Sequence, residues 1–148
     1  HPEIAFIWQT GKFYYSQSEQ AAREADLTNL FVFDFIARMD YAYSLANLVI
    51  TRSGAGTISE LGVVNKPAIF VPSPNVAEDH QTKNALALVD KGAADMVEDH
   101  KAPAALIINA LEIVSDDSKL QAMAESICQF GITDAAEVIA GEVEKLIY

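Results

Sequence analysis

Cysteine is almost missing from this chain: Cys128 is the one example in 148 residues. That excludes an intrachain disulfide framework, and no Cys/His spacing of the zinc type is present. A reducing, cytoplasmic compartment is therefore expected. Basic charge is also scarce, because 10 Lys and Arg stand against 21 Asp and Glu, a formal net charge of −11. Such a balance repels phosphate backbones and anionic lipid, so nucleic-acid binding and direct membrane contact by this segment are not expected. A small anion held locally by backbone N–H groups stays compatible with it. Long hydrophobic runs are missing too: a span needs ~20 apolar residues, and the apolar-rich stretches are interrupted by Asp34, Arg38 and Asp40. No signal peptide is visible, and the start, His1-Pro2-Glu3-Ile4, is expected to be a cut inside a longer protein.

What is present is the composition of a globular domain, with 51% hydrophobic and 21% charged residues. Short apolar runs rich in β-branched or aromatic residues, Ile4–Gln9, Leu30–Phe35, Leu48–Thr51, Ala68–Val71 and Ala94–Val97, predict strands. Between them Gln17–Ala25, Met39–Ala46, Thr57–Val64 and Gln81–Lys91 predict helices. The alternation implies an α/β fold, a Rossmann-like parallel sheet with flanking helices, and the continuous apolar runs imply strands covered on both faces. From Pro103 onward the pattern is helical only: Ala104–Val114, Ser118–Phe130 and Asp134–Tyr148. Pro103 suits a first turn, Ser118 a cap, Gly131 a stop, and Thr133 or Asp134 the last cap. Ser115-Asp116-Asp117-Ser118 reads as a connection, and no repeat or long linker divides the chain.

The stretch most informative for chemistry is Leu48-Val49-Ile50-Thr51-Arg52-Ser53-Gly54-Ala55-Gly56-Thr57-Ile58-Ser59-Glu60. A strand, a loop of small residues and a helix in that order aim backbone N–H groups and the positive end of a helix dipole at one point, which favours a phosphate. Gly54 and Gly56 allow close approach, and the Ser53 and Thr57 hydroxyls can add donors. The dinucleotide fingerprint, the Walker A loop and the nucleophile elbow all fail here, for want respectively of the third small residue with its acidic partner, of Gly-Lys-Ser/Thr, and of a glycine at Thr51. A second explanation stays open, since Thr57-x-x-Glu60 also fits a helix capping box with no ligand at all.

Beyond the next strand comes Pro72-Ser73-Pro74-Asn75, a turn-forming loop, and then His80, Gln81 and Asn84 around the first turn of a helix. Two neighbouring strands thus deliver an anion-type loop and neutral hydrogen-bonding side chains to the carboxyl edge of one sheet, the edge where open α/β sheets hold ligands. Amides and an imidazole suit sugar hydroxyls. Spacing alone favours ordinary first-turn solvation for His80, since polar first-turn residues are usual.

The segments from Arg52 to Glu60 and from Pro67-Ala68-Ile69-Phe70-Val71-Pro72 through Asp79-His80-Gln81-Thr82-Lys83-Asn84-Ala85 together resemble the MurG family. These are bacterial transferases that add N-acetylglucosamine to the lipid-linked muramyl-pentapeptide precursor of peptidoglycan. The resemblance runs from Trp8-Gln9-Thr10-Gly11-Lys12 through Phe35-Ile36-Ala37-Arg38-Met39 to Asp134-Ala135-Ala136-Glu137. It implies one half of a two-domain GT-B glycosyltransferase: the carboxyl-terminal domain that binds UDP-N-acetylglucosamine, here residues 1–148 without its first strand and glycine-rich loop. Ile36 would read the uracil through backbone atoms, and Ser53, Gly54, Ala55, Gly56 and Thr57 would hold the diphosphate. Glu60 would accept from the ribose hydroxyls, and His80, Gln81 and Asn84 would face the sugar; Arg38 and Met39 are expected to be structural.

The resemblance further implies an inverting transfer that converts lipid I to lipid II with no metal and no cofactor. The amino-terminal domain, with the lipid-linked acceptor site, the general base and the contact with the cytoplasmic face of the inner membrane, would lie outside this segment. No catalytic residue is therefore expected here, and the segment alone would be inactive. A donor-binding subunit of a split glycosyltransferase and a non-catalytic nucleotide-sugar-binding module are the alternatives.

Overall fold

A computed structural model describes residues 1–146, and the chain divides into two compact units, His1–Leu45 and Ala46–Tyr148. The first unit is a single right-sized β-α-β repeat with a short helix after it. Strands β1 (Phe6–Gln9) and β2 (Leu30–Phe33) pair in parallel, Phe6 against Leu30 and Gln9 against Phe33. Between them runs α1 (Lys12–Glu24), and α2 (Met39–Leu45) follows. Helix α1 begins five residues before the expected Gln17, because Gly11, at φ 74°, turns the chain directly out of β1 into the helix. Phe13 and Tyr14 then meet edge to face, and Glu19 accepts from both Tyr15 and Arg23 one turn to either side. Strands β1 and β2 are not covered on both faces as their apolar runs implied: Ile7, Trp8, Phe31 and Phe33 are each exposed.

The second unit holds β3 (Val49–Thr51), α3 (Ala55–Val64), β4 (Ala68–Phe70), α4 (His80–Val89) and β5 (Ala94–Met96). Then come α5 (Ala102–Val114), α6 (Asp117–Ile127) and α7 (Ala135–Glu144). The three strands form a parallel sheet in the order β3-β4-β5, so the expected strands are all present but lie in two sheets. Ala68, Ile69 and Phe70 in the middle strand are fully buried, which fulfils the two-sided burial for β4 alone. Ile69, Val97, Ala110, Ile113 and Met123 form one apolar cluster between sheet and helices. Each large side chain such as Phe70 or Leu61 contributes roughly 1.5–3 kcal/mol by leaving water. On the α3 side, Gly62 lies against the backbone of Phe130 and Gly131.

Helix starts differ from expectation in instructive ways. Pro103 does sit in the first turn of α5. Helix α6 is capped by Asp116, whose side chain accepts from the Lys119 N–H, so Asp117 and Ser118 belong to the helix rather than to a connection. A carboxylate two positions earlier outcompetes the Ser118 hydroxyl, which itself donates to Asp116. Asp134 stands at the cap position of α7 without a side-chain cap bond. The expected extension of that helix to Tyr148 ends outside the described residues.

Candidate functional site

The carboxyl ends of β3 and β4 lie side by side in one parallel sheet, so the segments that follow them emerge at the same edge. After β3 come Arg52 and Ser53, and α3 opens at Ala55 with Gly54, in extended backbone, at its cap position. No side chain caps this helix. Thr57 is its third residue rather than its cap, so the capping-box explanation of Thr57 and Glu60 does not hold. The Ile58 N–H reaches the Gly54 carbonyl, and the N–H groups of Ala55, Gly56 and Thr57 precede the first intrahelical bond.

The two loop glycines are not there for backbone strain. Neither has a positive φ, and a β-carbon added at Gly54 or Gly56 would meet nothing within 4 Å. The side of each glycine that a β-carbon would occupy is therefore open. Glu60 lies one turn farther along, at i+4 from Gly56, on the exposed part of the helix.

Ser53 is fully buried, and its hydroxyl donates to the Gln81 carbonyl at 2.7 Å. The Asn84 amide nitrogen donates back to the Ser53 carbonyl at 3.1 Å, and the Gln81 side-chain oxygen accepts from the Ser73 N–H at 2.9 Å. The loop after β3 and the first turn of α4 are thus joined directly. The Ser53 hydroxyl faces inward to α4, which distinguishes it from the Thr57 position on the helix. With Gln81 and Asn84 anchored this way, the Gln81 NH2 group and the Asn84 carbonyl oxygen define what each can offer next.

His80 opens α4 and is exposed. Its Nδ1 lies 2.8 Å from the Ala77 carbonyl, which can only accept, so Nδ1 is the donor in this bond and Nε2 is the ring nitrogen left to face outward contacts. The turn that presents it is strained: Glu78 and Asp79 both have left-handed backbone, at φ 55° and 52°. Asp79 is held there by the Thr82 hydroxyl, which donates to its carboxylate at 2.6 Å. Among the described residues no group of three His, Cys, Asp or Glu side chains is placed to hold a metal ion.

Ile36 belongs to the first unit, in the segment after β2. Its N–H donates to the Gln9 side-chain oxygen at 2.7 Å. Arg38 makes two hydrogen bonds to Asp40 and lies 3.9 Å over the Tyr41 ring.

Two contributors were assigned nothing from sequence. Gln9 is one, and no local signal marks it. Arg52 is the other: its Nη1 donates to the carbonyls of Val71 and Pro72 at 2.9 and 3.2 Å and to the Asp99 carboxylate at 2.5 Å. A cation placed where an apolar strand ends, facing a proline that lacks an N–H, is the signal that was available.

The chain is 56% identical over 145 residues to the UDP-N-acetylglucosamine--N-acetylmuramyl-(pentapeptide) pyrophosphoryl-undecaprenol N-acetylglucosamine transferase of Bacteroides thetaiotaomicron, covering 97% of this chain and 39% of that protein. It is 54% identical to the Bacteroides fragilis protein of the same name, at 97% and 38% coverage. The chain thus spans about two fifths of the length of these relatives. Among solved structures, Acinetobacter baumannii MurG superposes with a TM-score of 0.81 at 30% identity, covering 94% of this chain and 42% of that one. The UDP-GlcNAc 2-epimerase of Neisseria meningitidis, at TM-score 0.67 and 14% identity over 97% of this chain and 37% of that one, shares the fold. The glycosyltransferase family 28 C-terminal domain matches residues 1–139, and the chain belongs to that family.

Proposed function

We propose that this chain is the donor-binding part of an inverting glycosyltransferase that moves N-acetylglucosamine from UDP-N-acetylglucosamine to lipid I, giving lipid II. The observation that carries the proposal is the start of α3, a helix N-terminus without a side-chain cap, with two glycines at its opening whose β-carbon positions meet nothing, at the carboxyl edge of a parallel sheet. The names of the relatives supply the sugar nucleotide and the acceptor.

In the reaction the acceptor hydroxyl attacks the anomeric carbon from the face opposite the diphosphate, the bond to the diphosphate oxygen breaks, and the configuration inverts. Negative charge grows on the departing diphosphate. Gly54, Ala55, Gly56 and Thr57, with the Ser53 backbone, surround it with N–H donors and the positive end of the α3 dipole, which stabilises the transition state more than the ground state. Glu60, acceptor-only when ionised, takes the two ribose hydroxyls. His80 Nε2 accepts from one sugar hydroxyl, with the Gln81 NH2 and the Asn84 oxygen as neighbouring partners.

The lipid-linked acceptor, the general base and the contact with the cytoplasmic membrane face belong to the remaining three fifths of a protein of the relatives' length. Among the described residues no helix is long and apolar enough to cross a membrane.

Calorimetric titration of the full-length protein tests the reading. UDP-N-acetylglucosamine is expected to bind, and Glu60→Ala is expected to weaken it about tenfold or more, the scale of losing hydrogen bonds to a charged group. No binding by the unsubstituted protein, or unchanged affinity in the variant with its circular dichroism intact, overturns the assignment. Transfer of the sugar to a lipid-linked muramyl-pentapeptide separates an enzyme from a module that only binds.

A further inference from the structure

We propose that Arg52 is a positioning residue that sets the distance between the phosphate loop and the sugar-facing turn of α4; the inference rests on the donor-binding reading above. Arg52 directly follows β3 and precedes Ser53 and Gly54, so its backbone is continuous with the loop in front of α3. Its guanidinium reaches across the sheet edge. Nη1 donates to Val71 and Pro72 at the end of β4, and to Asp99 in the short turn after β5.

Val71 and Pro72 are both buried, and buried carbonyls left without a donor are costly. One cation thus satisfies the end of the central strand and ties the three crossovers that leave the sheet at this edge. Ser53 and Asn84 make the second tie, from the adjacent residue to α4. Two ties at neighbouring residues fix an orientation, whereas one would allow rotation about it. Removing Arg52 leaves the Ser53 contact as a pivot, so the loop and the first turn of α4 lose their mutual alignment while each keeps its own groups.

The consequence is specific to ligands that touch both parts. UDP alone engages the loop and Glu60; UDP-N-acetylglucosamine also engages His80, Gln81 and Asn84. In the full-length protein Arg52→Met is expected to leave UDP affinity within about twofold while lowering the ratio of UDP-N-acetylglucosamine to UDP affinity about tenfold, the scale of a misplaced but intact site. Arg52→Lys should recover part of that ratio, because an ammonium can still reach strand-end carbonyls. Asp99→Asn in the Arg52→Met background should add nothing further, since both act through one contact.

Amide hydrogen exchange at Gln81–Asn84 in the absence of ligand should speed up in Arg52→Met. An equal fall in the affinity of both nucleotides would make Arg52 a direct diphosphate contact, and an unchanged ratio with only a lower Tm would make it merely structural; either overturns the proposal. If the unsubstituted protein binds neither nucleotide, the donor reading fails and the exchange result decides the tie alone, with unaltered exchange overturning it.

Discussion

Gly62 and Gly131 meet backbone to backbone: a β-carbon on Gly62 would lie 2.5 Å from the Gly131 nitrogen, and one on Gly131 would lie 2.5 Å from the Gly62 carbonyl carbon. Main chain on both sides cannot rotate out of the way as a side chain could. Gly62→Ala and Gly131→Ala are each expected to lower unfolding free energy by roughly 1–3 kcal/mol, the cost of overpacking. Gly141→Ala in α7, where a β-carbon meets nothing, should instead stabilise by ~0.5–1 kcal/mol. Urea titration of the three variants reads the opposite signs, and a stabilised Gly62→Ala would refute the close packing.

Ser53→Ala removes a hydroxyl that is wholly buried and committed to Gln81. A stability loss of about 1–2 kcal/mol is expected, the usual effect of deleting a buried hydrogen bond. Were the hydroxyl a ligand group instead, the substitution would weaken nucleotide binding and leave the denaturation midpoint where it was.

Glu78→Gly addresses the strained turn before α4. Glycine adopts φ near 55° without the penalty that a β-carbon brings, so relief of strain should exceed the added freedom of the unfolded chain and stabilise by ~0.5–1 kcal/mol. The same change loosens the turn that presents His80. A higher Tm with weaker sugar-nucleotide binding is the expected pair of results, and a lower Tm would show that the left-handed backbone is not strained.

Acidification should weaken the fold through three surface carboxylates. Asp116 is held below its ordinary range by the Ser118 hydroxyl and the Lys119 N–H, Asp40 by the Arg38 guanidinium, and Glu98 by the Lys101 ammonium. A carboxylate with a lowered folded-state pKa stabilises the fold above its ordinary pKa, and that contribution disappears as pH falls through the folded value. Stability is therefore expected to be level near neutrality and to decline from about pH 4 downward, given ordinary carboxylate values near 4. Asp116→Asn should flatten part of that decline in Tm against pH, because an amide can still cap α6 but does not titrate.

Element type was legible because it follows from periodicity: each of the five apolar runs is a strand, and Met39, Ala55 to Val64 and the region after Pro103 are helical. Helix starts were less legible, since they depend on a local competition. Asp116 displaced Ser118, and Gly54 with Ala55 started α3 two residues before Thr57. Coverage of β1 and β2 was misread, because an apolar run states what a strand tolerates and not what lies against it. At the site, the residue types announced hydrogen bonding while the partners did not. Ser53 with Gln81 and Arg52 with Asp99 are separated by 28 and 47 residues, and no local pattern encodes such pairs.

The burial of β4 has a kinetic meaning. Its flanking bonds, Val71 N–H to Thr51 and Val97 N–H to Phe70, close the strand on both sides, and no face of it meets solvent. Local openings therefore cannot reach it without dismantling the second unit, and its amides should be among the last to exchange with deuterated water, at the free energy of global unfolding. The loops at its end can fluctuate on a floor that does not. A nucleotide that comes and goes at this edge would meet, each time, a floor that keeps its position far longer than the ligand stays.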